Sequence, residues 1–129
     1  MAKNRRRADG RYLTLNVSAV NGSGAGDLVL SGDPVAVGQI PGVAIIDEVT
    51  DATKGTVGTA TVDTEGVYAL AVKGVNDVPA NVAVAPGDIV YWDNALGELD
   101  LGPNGVRFGY ALEAVLAGAT TTILVRLGY

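Results

Sequence analysis

The chain has 129 residues, 48% of them hydrophobic but only 5% aromatic, with 18 glycines, no cysteine, no histidine and a net charge of −5. Without cysteine there is neither a disulfide nor a thiolate metal site, and without histidine the usual general base near neutral pH and the commonest metal ligand are missing. A chain of this length is expected to form one domain burying about two-thirds of its unfolded surface, and its Ala- and Val-rich apolar content, cut into short runs by Gly and Pro, predicts an all-β fold.

Residues 1–11 hold Lys3, Arg5, Arg6, Arg7 and Arg11, five of the nine basic side chains, against Asp9 alone, for a net +4; the remaining 118 residues carry −9. Lacking apolar periodicity, this segment reads as a flexible N-terminal arm, 1–11, ahead of a β-rich domain, 12–129. A basic arm on an acidic body suits an anionic partner surface. Its charges are not followed by the apolar stretch of a secretory signal. No apolar run approaches the roughly 20 residues that span a bilayer, so no membrane partner is expected.

Tyr12 to Val17 alternates, with Leu13, Leu15 and Val17 to one side, and predicts a first strand. Asn21 to Asp27 reads as a glycine-rich loop, Leu28-Val29-Leu30 as a short strand, Val43 to Ile46 as another, and Thr50 to Gly58 as a polar connection. Thr59 to Val72 reads as two strands, or one bulged strand, divided near Glu65-Gly66. Ala80 to Ala85 fits either a turn of helix or a strand. Asp93 to Glu98 is hairpin chemistry, and Leu99 to Gly105 reads as a loop. Between Arg107 and Ala117, Phe108, Leu112, Val115 and Leu116 fit helical spacing, but Gly109 and Gly118 shorten any helix, so strand is favoured and at most one short helix is expected. Thr120 to Leu127 is the last strand.

The heaviest strand, Ile89-Val90-Tyr91-Trp92, follows a Pro86-Gly87-Asp88 turn and contains the single Trp. Tyr91 and Trp92 are therefore expected in the core or a subunit interface. A lighter copy of the pattern runs through Ser31-Gly32-Asp33-Pro34-Val35-Ala36-Val37. Each copy is followed by a Gly-x-Ala strand (Gly42-Val43-Ala44; Gly109-Tyr110-Ala111), an acidic-apolar stretch and a closing strand, Thr59 to Val62 or Thr120 to Val125. The chain reads as a degenerate duplication of a strand-turn-strand unit.

The residues offer little chemistry. Gly22, Gly24 and Gly26 lack the Lys-Ser/Thr of a phosphate loop and the spacing of a dinucleotide fingerprint. Asp47, Glu48 and Asp51, and Glu98 and Asp100, have no calcium-loop spacing and few aromatics nearby to stack a sugar, and read as solvated loop acids. Asn16-Val17-Ser18 and Asn21-Gly22-Ser23 match glycosylation acceptors without a secretory context. Arg5-Arg6-Arg7 could meet nucleic acid, but the acidic body would repel a phosphate backbone, and an acidic protein surface is the better partner. No catalytic, cofactor or metal residue is assigned.

Taken in order, Met1-Ala2-Lys3-Asn4, Ser31-Gly32-Asp33-Pro34-Val35, Gly42-Val43-Ala44, Ala60 to Tyr68, Pro86 to Asp93 and Gly109 to Ala114 resemble the capsid decoration, or cement, proteins of tailed bacteriophages and prophages. The resemblance runs from about Tyr12 to Leu127. It implies a small β-barrel or β-sandwich-like domain made in the host bacterial cytoplasm. Such a domain sits on the outer surface of the expanded capsid, commonly as a homotrimer, and clamps neighbouring major capsid protein subunits. By analogy the arm, with Lys3, Arg5, Arg6, Arg7 and Arg11, would contact the capsid and order on binding. This chain departs from the pattern in an arginine-rich arm and in longer loops at 21–26 and 99–107. A surface-displayed module recognising a glycan or host protein, and a carboxylate enzyme, are the alternatives. The first predicts an exposed aromatic near Trp92, the second a cleft with an essential Asp47, Glu48 or Asp100.

Overall fold

The computed structural model of the protein describes residues 11–78 and 80–128, so Lys3, Arg5, Arg6 and Arg7 lie outside the described residues. The fold is all-β. Among the described residues nine strands follow one another: β1 (Tyr12–Asn16), β2 (Pro34–Val37), β3 (Ile40–Ala44), β4 (Thr59–Asp63), β5 (Val67–Lys73), β6 (Ile89–Asp93), β7 (Glu98–Asp100), β8 (Val106–Ala111) and β9 (Thr120–Leu127). Among the described residues the helical content is one 3-10 turn, Ala25–Asp27.

Three local expectations change. Leu28 to Leu30 is not a strand, because a side chain takes over part of the ladder: the Val29 amide donates to the Glu48 carboxylate at 3.1 Å while the Val29 carbonyl accepts from the Glu48 amide at 2.8 Å. Ala80 to Ala85 is neither helix nor strand and meets its neighbours through isolated bridges, Val75 with Asn81 and Val84 with Val115. Leu99 and Asp100 leave the expected loop to form β7 against β6. Residues 107–111 lie in β8, with a register shift opposite Val90 and Tyr91 that makes room for the fully buried Phe108.

The strands form a four-stranded sheet in the order β1-β4-β3-β2 and a barrel in the order β5-β7-β6-β8-β9. The barrel closes through a single parallel pairing, Val72 with Leu99. Buried side chains of both sheets, mostly valine with Trp92 and Phe108, form one apolar cluster. Each fully buried Val contributes about 1.5–3 kcal/mol of transfer free energy, so a core with few large side chains is built mostly from small increments.

The two sheets are one unit made twice. In the first, the Gly32 amide donates to the Ala44 carbonyl at 2.7 Å and the Ala44 amide to Asp33 at 2.9 Å; in the second, Gly87 donates to Ala111 at 2.7 Å and Ala111 to Asp88 at 2.9 Å. Val35 lies opposite Gly42 as Val90 lies opposite Gly109, and Leu13 opposite Val62 as Tyr68 lies opposite Val125. Thus β1, β2, β3 and β4 correspond to β5, β6, β8 and β9, and the β7 hairpin is an insertion in the second copy. Both turns need a glycine, with φ of +95° at Gly32 and +93° at Gly87. Both Gly-x-Ala strands need one too: a Cβ on Gly42 would press on the Asp63 carbonyl, and one on Gly109 would enter the Arg126 carbonyl.

Candidate functional site

Where the copies differ, three features stand out. The first is the junction between them. Asp63, at the end of β4, is 1% exposed. Its Oδ1 accepts from Arg11 Nε at 2.8 Å and from the Glu65 amide at 3.1 Å, and its Oδ2 from Arg11 Nη2 at 3.0 Å and from the Tyr68 hydroxyl. Burial alone would push this carboxyl up, but the bonds from Arg11, Tyr68 and the Glu65 amide outweigh it and hold the carboxyl below its ordinary value. The same contact raises the Arg11 guanidinium further. The Tyr68 hydroxyl is pushed up by burial and then by the neighbouring Asp63 charge. The Arg11 carbonyl accepts from the Thr64 amide and hydroxyl, both at 2.8 Å. Arg11, grouped by sequence with the arm, is thus fastened to the body, and the chain ahead of it departs from a fixed point beside Gly66.

The second feature is the outer face of β5 and β9. Along β5 the outward residues are Val67, Ala69 and Ala71, opposite Arg126, Leu124 and Thr122. Val67 is 51% exposed and Leu124 43%; Leu112, whose amide donates to the Leu124 carbonyl at 2.9 Å, is 42% exposed. Their counterparts on β1 are Tyr12, Thr14 and Asn16. Along these strands the first copy therefore turns mostly polar side chains outward and the second mostly apolar ones, edged by Arg126, while Leu112 keeps an apolar counterpart in Ile45. Contiguous apolar surface of this kind marks a binding face.

The third is the β7 insertion. Asp100 is 4% exposed and accepts from the Gly102 amide at 2.8 Å. Burial, then the charges of Asp93, Glu98 and Asp77, push its carboxyl up against the effect of that amide. Among the described residues no group of three or more His, Cys, Asp or Glu could hold a metal ion. Trp92 is 2% exposed, and its indole Nε1 donates to Asn94 Oδ1 at 3.3 Å. Asn94 also accepts from the Asn21 amide at 2.9 Å and donates to the Ala19 carbonyl at 3.0 Å, tying the second copy to a loop of the first. Tyr91 is half-buried on β6. Of the residues singled out by sequence, Tyr91 and Trp92 are neighbours on one strand, Arg11 lies at the junction, and Lys3, Arg5, Arg6 and Arg7 fall outside the described residues. Sequence reasoning missed Asp63, Tyr68 and the outward face of β5; an alternating strand with apolar residues in both registers was the available signal for that face.

What this geometry offers is surface: a β scaffold with an apolar outer face beside the point where a basic segment leaves. A family model described as phage cement protein matches residues 16–127, and the chain belongs to that family. No curated protein and no solved structure matches the chain. The family is a structural one that stabilises the phage capsid, which places the protein on the virion. No helix among the described residues is long and apolar enough to cross a membrane.

Proposed function

We propose that the protein docks on the outer surface of the expanded phage head and clamps neighbouring major capsid protein subunits, three copies together around a symmetry axis. The observation that carries this reading is the outward face of β5 and β9, where Val67, Ala69, Ala71 and Leu124 stand at positions that Tyr12, Thr14, Asn16 and Thr61 hold in the first copy of the unit. Burying it against a capsid supplies a modest apolar contact per copy. Joining three copies turns three modest contacts into one strong attachment. The arm residues Lys3, Arg5, Arg6 and Arg7 add charge pairing to an acidic capsid surface, which makes binding salt-sensitive, whereas Arg11 is engaged by Asp63. Residues 12–129 act as one docking domain. Family membership supports the capsid as the partner. Co-sedimentation with expanded, undecorated heads tests the proposal. Saturable binding that weakens with salt is expected, and absence of binding to intact heads would overturn it.

A further inference from the structure

The barrel closes at one point, and the rest of that edge is open. The Leu127 amide donates to the Gly66 carbonyl and the Gly74 amide to the Ala119 carbonyl, both at 2.9 Å. With the register between them, Tyr68, Leu70 and Val72 turn their backbone groups to β9, while Val67, Ala69 and Ala71 turn theirs the other way. On that side β5 meets only the Val72–Leu99 pairing, so the Ala69 amide and carbonyl and the Ala71 amide have no ladder partner among the described residues. Ala69 and Ala71 are exposed. A cleft of about 400 Å³ is lined by this edge and by the Gly32–Pro34 turn, with Lys73, Glu98 and Thr122. Glu98 Oε1 is buried without a hydrogen-bond partner among the described residues, and Lys73 stands 3.7 Å from the other oxygen. A charge-assisted bond is shorter, at about 2.8 Å.

We propose that this edge receives an extended segment of the capsid partner as an added strand, with a Lys or Arg of that segment paired to Glu98. The inference rests on the capsid-docking reading and adds the mode of contact to it. Three observations point to that occupant. The free groups alternate donor and acceptor from Ala69 to Ala71, a pattern that an extended polypeptide complements. An open edge is normally blocked by charge or proline, yet β5 carries neither ahead of Lys73, and its free stretch ends in two alanines. Finally, Glu98 precedes Leu99, the residue paired with Val72, so its carboxylate marks the end of the free edge. A buried carboxylate oxygen without a donor is costly, and a basic side chain entering there removes the cost. The barrel is thus the receiver of a strand, and the residue it selects is a cation.

The full chain and expanded, undecorated heads supply the test. Wild-type protein, exchanged while bound and then released, should show the Ala69 and Ala71 amides slowed about tenfold against the free protein. The Tyr68 and Leu70 amides, already bonded to β9, should be unchanged. Ala69→Pro removes a donor that β9 does not use and should weaken co-sedimentation about tenfold. Glu98→Gln keeps the shape but not the charge, and should weaken binding about fivefold with a shallower salt dependence. Failure of the wild type to bind heads would overturn the docking reading and this inference with it. Binding with the Ala69 and Ala71 amides unprotected, or already protected in the free protein, would overturn the strand addition alone. So would undiminished binding by both variants.

Discussion

Arg11 to Val37 and Gly66 to Trp92 pass through the same turn, the same register and nearly the same hydrogen bonds, yet they meet solvent differently. In the first copy Tyr12, Thr14 and Asn16 look outward; in the second, Val67, Ala69 and Ala71 do. The first sheet is left open, while in the second an inserted hairpin places β7 beside β5 and closes a barrel. The backbone unit is set by two glycines, one aspartate and alternating valines. What varies between copies is what each presents. On the proposed reading, stability and binding therefore reside in different residues of the same unit, and substitutions at matched positions separate them.

The largest effect is expected at the matched close approaches. Gly109→Ala should destabilise the protein by about 3 kcal/mol or more and Gly42→Ala by about 2 kcal/mol in chemical denaturation. A Cβ at 109 would meet only the backbone around Arg126, whereas part of the obstruction at 42 is the Val62 side chain, which can turn. An alanine tolerated at either position would contradict the close approach that β3 and β8 share.

Next come the matched residues Asp63 and Arg126. Asp63→Ala should cost about 2–3 kcal/mol, because it strands Arg11 and Tyr68, with the lower end favoured since the Arg11 side chain is 38% exposed. Arg126→Ala, exposed at the corresponding register, should change stability by less than about 0.5 kcal/mol. The folded Asp63 carboxyl is held below its unfolded value of about 4. Its contribution is therefore fully present above that pH and is lost as pH falls through the lower folded value. Thermal melts of wild type and Asp63→Ala should converge on acidification; melts that stay parallel would contradict the assignment.

The smallest effect separates the two turn aspartates. Asp33 accepts from the Leu30 and Ser23 amides, both at 2.9 Å, and from the Ser23 hydroxyl at 2.6 Å, whereas Asp88 accepts from the Ala85 amide at 2.8 Å. Asp33→Ala should cost about 1.5 kcal/mol and Asp88→Ala about 0.5–1 kcal/mol, measured by denaturation.

Much of the unit was legible because it is local. Gly-Asp turns fix φ and bond their own backbone, and Gly-x-Ala marks a close approach, so both leave a short signature in sequence. The first strands were harder to match, since Tyr12–Asn16 and Val67–Lys73 share alternation but few residues. The Arg11–Asp63 pair, 52 residues apart, has no local pattern to announce it. Leu28 to Leu30 misled because an apolar triplet looks like a strand when its partner is a carboxylate 19 residues away. The outward face of β5 was hidden for the opposite reason: apolar residues in both registers read as doubly buried, and only the fold shows that one register faces solvent.

The central claim, that the second copy carries the docking face, is tested most directly by co-sedimentation with expanded heads using one charge insertion on the outer face of each copy. Leu124→Glu and Thr14→Glu, both at outward-facing positions, should each leave the folded protein intact. The account predicts that Leu124→Glu abolishes saturable binding while Thr14→Glu binds as wild type does. Binding unaffected by Leu124→Glu, or lost equally in both variants, would contradict it.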